Sequence, residues 1–94
     1  MGNILHDADK ATARDRNAVY GHPADDFART AAIANAMGFT RNGEPITAED
    51  IPIFQIAVKM SRLSNTPDHR DTIVDIAGYA RTLEMVHERN EGEQ

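Results

Sequence analysis

Apolar positions recur along this chain with a helical period, and clusters of Gly, Pro, Asn and Ser break the pattern into segments. The first segment, Ile4 to Val19, carries only sparse apolar positions among alternating charges, with Asn3 placed to cap it. Tyr20-Gly21-His22-Pro23 interrupts it. A second helix is predicted from Pro23 to about Met37, ended by Gly38 as a C′ residue. Phe27 and a series of alanines give it small packing surfaces. Asn42-Gly43 predicts a tight hairpin turn.

The segment Ile51–Leu63 follows a capping-box-like Thr47-Ala48-Glu49-Asp50, with either Thr47 or Asp50 as the cap. It is apolar on nearly every side, so it is predicted to be the central, buried helix. Ser64 to Pro67 ends it. Thr66 is then expected to cap the last helix, Pro67–His87, whose apolar stripe reads Ile73, Ile76, Ala77, Ala80 and Leu83. Residues 88–94 read as a disordered tail. The expected architecture is a single all-α domain spanning residues 1–94. It is a three- to four-helix bundle built on the C-terminal antiparallel hairpin.

A polar stripe crosses that hairpin. Gln55, Lys59 and Arg62 share one face of the first helix, and Asp71, Asp75 and Tyr79 share one face of the second. Antiparallel pairing about a loop of about four residues brings both carboxylates within reach of both cations. One reading is a salt-bridge network that holds the hairpin. Such pairs return little net stability after desolvation, which makes a functional site the competing reading. In that reading Asp71 and Asp75 hold one Mg²⁺ through oxygen ligands and water. Lys59 and Arg62 take phosphate oxygens, Tyr79 stacks on a base or bonds a phosphate, and Asn65 at the loop reads a polar group.

Composition narrows the classes. The chain has 94 residues, 40% of them hydrophobic and 27% charged, and no cysteine. That excludes disulfides, thiolate zinc sites and cysteine nucleophiles. No apolar run is long enough to cross a membrane, and the polar N-terminus is not a signal peptide. A cytoplasmic protein is expected. The net charge of −5, from 10 basic and 15 acidic residues, argues against non-specific nucleic-acid binding. A chain this short has a thin core, so an oligomer is expected. None of the four histidines has zinc spacing with another. His22 lies in a turn that either folds over a ligand or starts a helix. Tyr20 and Tyr79 read as packing or stacking residues. There is no Gly-rich phosphate loop and no dinucleotide fingerprint.

The run Lys59-Met60-Ser61-Arg62-Leu63, followed by Asp71-Thr72-Ile73-Val74-Asp75-Ile76-Ala77-Gly78-Tyr79-Ala80, resembles small phage-encoded proteins related to the MazG-like all-α nucleoside triphosphate pyrophosphatases. Tyr20-Gly21-His22-Pro23 and Thr47–Asp50 belong to the same likeness, which covers about Arg14 to His87. The resemblance implies a dimer or tetramer with a nucleotide site between helices, in the cytoplasm of a bacterial host. It also implies Mg²⁺-dependent hydrolysis of a nucleoside triphosphate to monophosphate and diphosphate. Asp71 and Asp75 would be its acidic positions and Lys59 and Arg62 its basic ones. The family's enzymes carry a Glu-x-x-Glu pair that has no counterpart before this hairpin. A protein that binds or sequesters a nucleotide without hydrolysing it is therefore the alternative. A purely structural helical oligomer is the third reading.

Overall fold

A computed structural model describes residues 4–5 and 21–92. Among them are three long helices and no strand: α1 (Pro23–Ala36), α2 (Asp50–Asn65) and α3 (Arg70–Gly92). The predicted first helix, Ile4 to Val19, and Tyr20 after it lie outside the described residues except for Ile4 and Leu5, which are helical.

α1 starts and stops as its sequence predicts. His22 is its N-cap, and its Nδ1 accepts a hydrogen bond from the Ala24 amide at 3.0 Å. Pro23 occupies the first turn, where a missing N–H costs nothing. Asp25 and Asp26 then face the positive end of the helix dipole. At the far end Gly38 takes φ 93°, its amide donates to the Asn35 carbonyl and the Phe39 amide donates to that of Ala34. This is the Schellman closure that a C′ glycine permits. Arg41 and Glu44 then exchange both backbone hydrogen bonds at 2.9 Å around Asn42 (φ 52°) and Gly43 (φ 82°). Two positive φ values in succession are what Asn-Gly supplies in a tight hairpin turn.

α2 starts late enough to accommodate Pro52. Its N-cap is Glu49, with no side-chain cap bond, so neither Thr47 nor Asp50 is the cap. The Asp50 carboxylate instead accepts from the Thr47 amide at 2.9 Å and the Thr47 hydroxyl at 3.2 Å. Pro52 falls in the first turn, where amides have no intrahelical partner.

Three expectations for the hairpin are corrected. Thr66 closes α2 rather than capping α3, Pro67 and Asp68 form a turn, and α3 starts at Arg70. The helix does not end near His87 but runs to Gly92. Partners outside the helix hold that last stretch: Arg89 pairs with Asp25 of α1 at 2.8 Å, and Asn90 donates to Glu49 at 3.2 Å. Finally, α2 is not buried all round. Only Pro52 is buried in it, while Ile53, Phe54 and Met60 are exposed by half or more.

The core is small. Phe27 and Val86, each 1% exposed, pack with Ala24 where α1 meets α3, and Ala48, Ile51 and Tyr79 close around them. The buried positions of α3 are Thr72, Thr82, Met85 and Val86, not the predicted stripe, of which Ala80 is exposed and the others are half-buried. Thr72, Asp75, Tyr79, Thr82 and Val86 follow a 3-4-3-4 spacing, the signature of a packing seam. Both buried threonines have partners. The Thr72 hydroxyl lies 2.8 Å from His69 Nδ1, and Thr82 donates to the Tyr79 carbonyl at 2.7 Å.

Candidate functional site

The α2/α3 hairpin is the most extensive helix contact of the described residues, and the charged stripe lies along it. Lys59 Nζ sits 2.9 Å from Asp75 Oδ2. The Lys59 side chain is only 14% exposed, whereas Asp75 is 47% exposed. The Lys59 stem is therefore covered in the seam, while its ammonium meets a counter-ion that opens to solvent, as a long aliphatic stem allows. The antiparallel register predicted from the loop length does bring these two residues together. Asp71 and Arg62 lie nearer the loop and are both exposed. Two of the four predicted charges thus form the seam pair, and the other two flank it at the surface.

The remaining predicted site residues go elsewhere. Asn65, the last residue of α2, is exposed and reaches the Thr66 hydroxyl at 3.5 Å. Tyr79 packs half-buried against the Phe27–Val86 cluster, one turn from Asp75. His22 is the cap of α1, so its turn starts a helix. Tyr20 lies outside the described residues. Among the described residues, no group of three or more His, Asp or Glu stands close enough to hold a metal ion. Asp71 and Asp75 remain as a pair at i, i+4.

A second feature is not visible as a site in the sequence. The end of α1, the 39–46 turn and the outer face of α2 enclose an open groove of about 600 Å³. Thr30, Ala34, Phe39, Ile46, Ile53 and Phe54 are among its lining residues. Asn35 fixes one wall: its side chain accepts from the Ile46 amide at 2.8 Å and donates to the Ile46 carbonyl at 2.9 Å. Arg41 and Asp50 pair across it at 3.2 Å. The signal for this groove is the very feature that predicts a buried helix: apolar residues on more sides of α2 than two neighbouring helices can cover.

Residues 3–87 match a family described only as a domain of unknown function, DUF6378. The chain belongs to the DUF6378 family. Two relatives are phage-encoded, each named "Gene 55 protein". That of Mycobacterium phage D29 is 34% identical over 86 residues, covering 92% of this chain and 54% of the relative. That of Mycobacterium phage L5 is 35% identical over 84 residues, covering 89% and 52%. The chain spans about half the length of the curated relatives it matches. No solved structure matches this DUF6378 chain. None of its described helices is long and apolar enough to cross a membrane.

Proposed function

We propose that this DUF6378 chain binds a nucleotide through its phosphates at the α2/α3 hairpin, as a MazG-like protein in the cytoplasm of the infected host. The observation that supports this reading is the covered Lys59 side chain, paired at its tip with Asp75. A cation with 14% of its side chain exposed, held at 2.9 Å by one carboxylate, has exposed Arg62 and Asp71 beside it. The four groups sum to zero charge, so they suit a phosphate that arrives with a divalent cation better than a bare anion. Asp71 and Asp75, four residues apart on one helix face, are the residues that would hold Mg²⁺. Two carboxylates suit an ion that keeps several of its waters. When bound, the metal would neutralise phosphate charge and lower the pKa of a bound water.

The chain's own contribution is to position and to neutralise. Lys59 and Arg62 would take phosphate oxygens, Arg62 in a two-pronged manner, and Asn65 lies at the open end of the same seam. Tyr79 is committed to core packing, so base stacking is better assigned to an exposed group than to it. Hydrolysis is the further step of this reading. Water would attack the α-phosphorus, the bond to the bridging oxygen would break, and diphosphate would leave with its charge met by Lys59 and Arg62. With only two acidic positions, binding without turnover is the form we favour.

The test is calorimetry and chromatography with a pool of ribo- and deoxyribonucleoside triphosphates and Mg²⁺. Saturable binding that Lys59→Ala abolishes is the expected result. Loss of one triphosphate with matching monophosphate and diphosphate would extend it to hydrolysis. Absence of any binding, or affinity unchanged in Lys59→Ala, would reject the site. The same 2.9 Å pair would then be a structural lock on the hairpin.

A further inference from the structure

The groove on the outside of α2 and the charged stripe along the hairpin meet at one residue, Gln55. It lines the groove together with Phe39, Phe54, Arg41 and Asp50. It also shares a helix face with Lys59 and Arg62. Lys59 follows it by four residues, about 6 Å along the helix axis. Gln55 is half-buried, and among the described residues nothing hydrogen-bonds its amide. Such an amide offers two donors and an acceptor, and a polar ligand that meets them recovers what partial burial costs. Beside it, Phe39 and Phe54 are 58% and 68% exposed, so two aromatic rings stand open in the groove.

We infer that the groove holds the base of the nucleotide whose phosphates the hairpin takes. This rests on the nucleotide reading and adds the second half of its site. Continuity is the first reason. One turn of α2 carries the surface from Gln55 in the groove to Lys59 in the stripe, and a sugar is all that a nucleotide places between its base and its phosphates. Charge is the second reason. Arg41 and Asp50 neutralise each other at 3.2 Å, so the groove suits an uncharged group and not a further phosphate. Lys59 and Arg62 lie outside it. The site is thus divided as a nucleotide is divided, into a neutral aromatic half and a charged half. Size and lining are the third. A volume of about 600 Å³ falls within the roughly 300–1,000 Å³ of small-molecule sites, which are walled by apolar and aromatic side chains with a few polar groups. A base is flat and apolar on its faces and polar at its edges. Phe39 and Phe54 offer rings to stack on, and the Gln55 amide offers hydrogen bonds to an edge. These rings supply the stacking that Tyr79, packed against Phe27 and Val86, does not.

The experiment is calorimetry on the full chain with Mg²⁺, titrating each ribo- and deoxyribonucleoside triphosphate in turn and then inorganic triphosphate. Inorganic triphosphate carries the phosphates without a base. At least one nucleotide is expected to bind about tenfold or more tightly than inorganic triphosphate, the effect of stacking one base. Phe54→Ala combined with Gln55→Ala should bring that nucleotide down to the affinity of inorganic triphosphate. The affinity of inorganic triphosphate itself should not change. Lys59→Ala should weaken both ligands. Equal affinity of wild type for nucleotides and inorganic triphosphate overturns this inference and leaves the phosphate site standing. A preference for the nucleotide that survives the double variant also overturns it, because the base then lies elsewhere. Binding of neither ligand rejects the nucleotide reading and this inference with it. Far-UV circular dichroism checks that the double variant folds. Should it fail to fold, the wild type decides by nuclear Overhauser contacts between base protons of the tightest-binding nucleotide and the ring protons of Phe39 and Phe54. Their presence is expected, and their absence at saturation overturns the inference.

Discussion

The two seams of α2 have the same spacing and nearly the same apolar content, yet opposite surroundings. The inner one holds a buried Pro52, half-buried Ile56 and Leu63, and a lysine sunk against Asp75. The outer one holds Ile53, Ala57 and Met60 and is open. Charge therefore sits in the covered seam and is absent from the uncovered one, the reverse of what burial alone would select. A charged group in a covered seam has to be tolerated against desolvation. An apolar group in an open seam has to be tolerated against water. The charged seam is where the proposed ligand would act, and the open seam is where the described residues leave apolar surface to water.

The sharpest way to break this comparison is to truncate one phenylalanine on each side of it. Phe27 is 1% exposed at the meeting of α1 and α3, whereas Phe54 is 68% exposed on the outer face. Phe27→Ala is expected to cost about 3–5 kcal/mol, from lost transfer energy plus the cavity left behind. Against a total of about 5–15 kcal/mol for a domain, that is enough to leave much of the chain unfolded. Phe54→Ala should change stability by no more than about 0.5 kcal/mol. Urea unfolding reads both. Equal costs for the two phenylalanines would mean that the outer seam is covered within the chain.

The inner seam offers the next largest effect, and it is asymmetric. Asp75→Ala leaves the Lys59 ammonium without its carboxylate. It should cost about 1–2 kcal/mol, below the value for a fully buried pair because Asp75 is half exposed. Lys59→Met removes the charge and keeps the stem packing, so its stability should stay within about 1 kcal/mol of wild type. Yet Lys59→Met should lose nucleotide binding as completely as Lys59→Ala. Thermal melts with and without Mg²⁺ and nucleotide separate the two roles. If Lys59→Met melts as wild type and still binds, the pair is neither lock nor ligand site.

How much of this is legible in the sequence depends on which physical signal each element uses. α1 is readable at both ends because Pro23 and Gly38 act through backbone geometry, which needs no tertiary context. The Lys59–Asp75 contact is readable because a short loop fixes an antiparallel register. The inner face of α3 escapes a reading by hydropathy because Thr72, Asp75 and Thr82 look polar. Only their 3-4 spacing, and hydroxyls that find partners in His69 and the Tyr79 carbonyl, let them line a seam. The full extent of α3 is hidden because Arg89 and Asn90 are held by Asp25 and Glu49, residues 64 and 41 positions away. Local propensity carries no trace of such partners. The charged pair can be found from spacing, but its asymmetric exposure cannot, since burial is a property of the packed helices.

The smallest of the expected effects tests whether the wall of the outer groove is built or incidental. Asn35 makes two hydrogen bonds to the backbone of Ile46, at 2.9 and 2.8 Å, and so fastens the 39–46 turn to α1. Both bonds are near the surface, where water competes, so Asn35→Ala should cost only about 1 kcal/mol. Its local signature should be larger than its global one. The Ile46 amide loses its acceptor, and hydrogen exchange there should quicken while exchange in α3 does not change. Because Phe39 and Ile46 line the groove from this turn, the groove's wall should loosen with it. Unchanged exchange at Ile46 would mean that the turn keeps its place without Asn35, and that the wall does not depend on these two bonds.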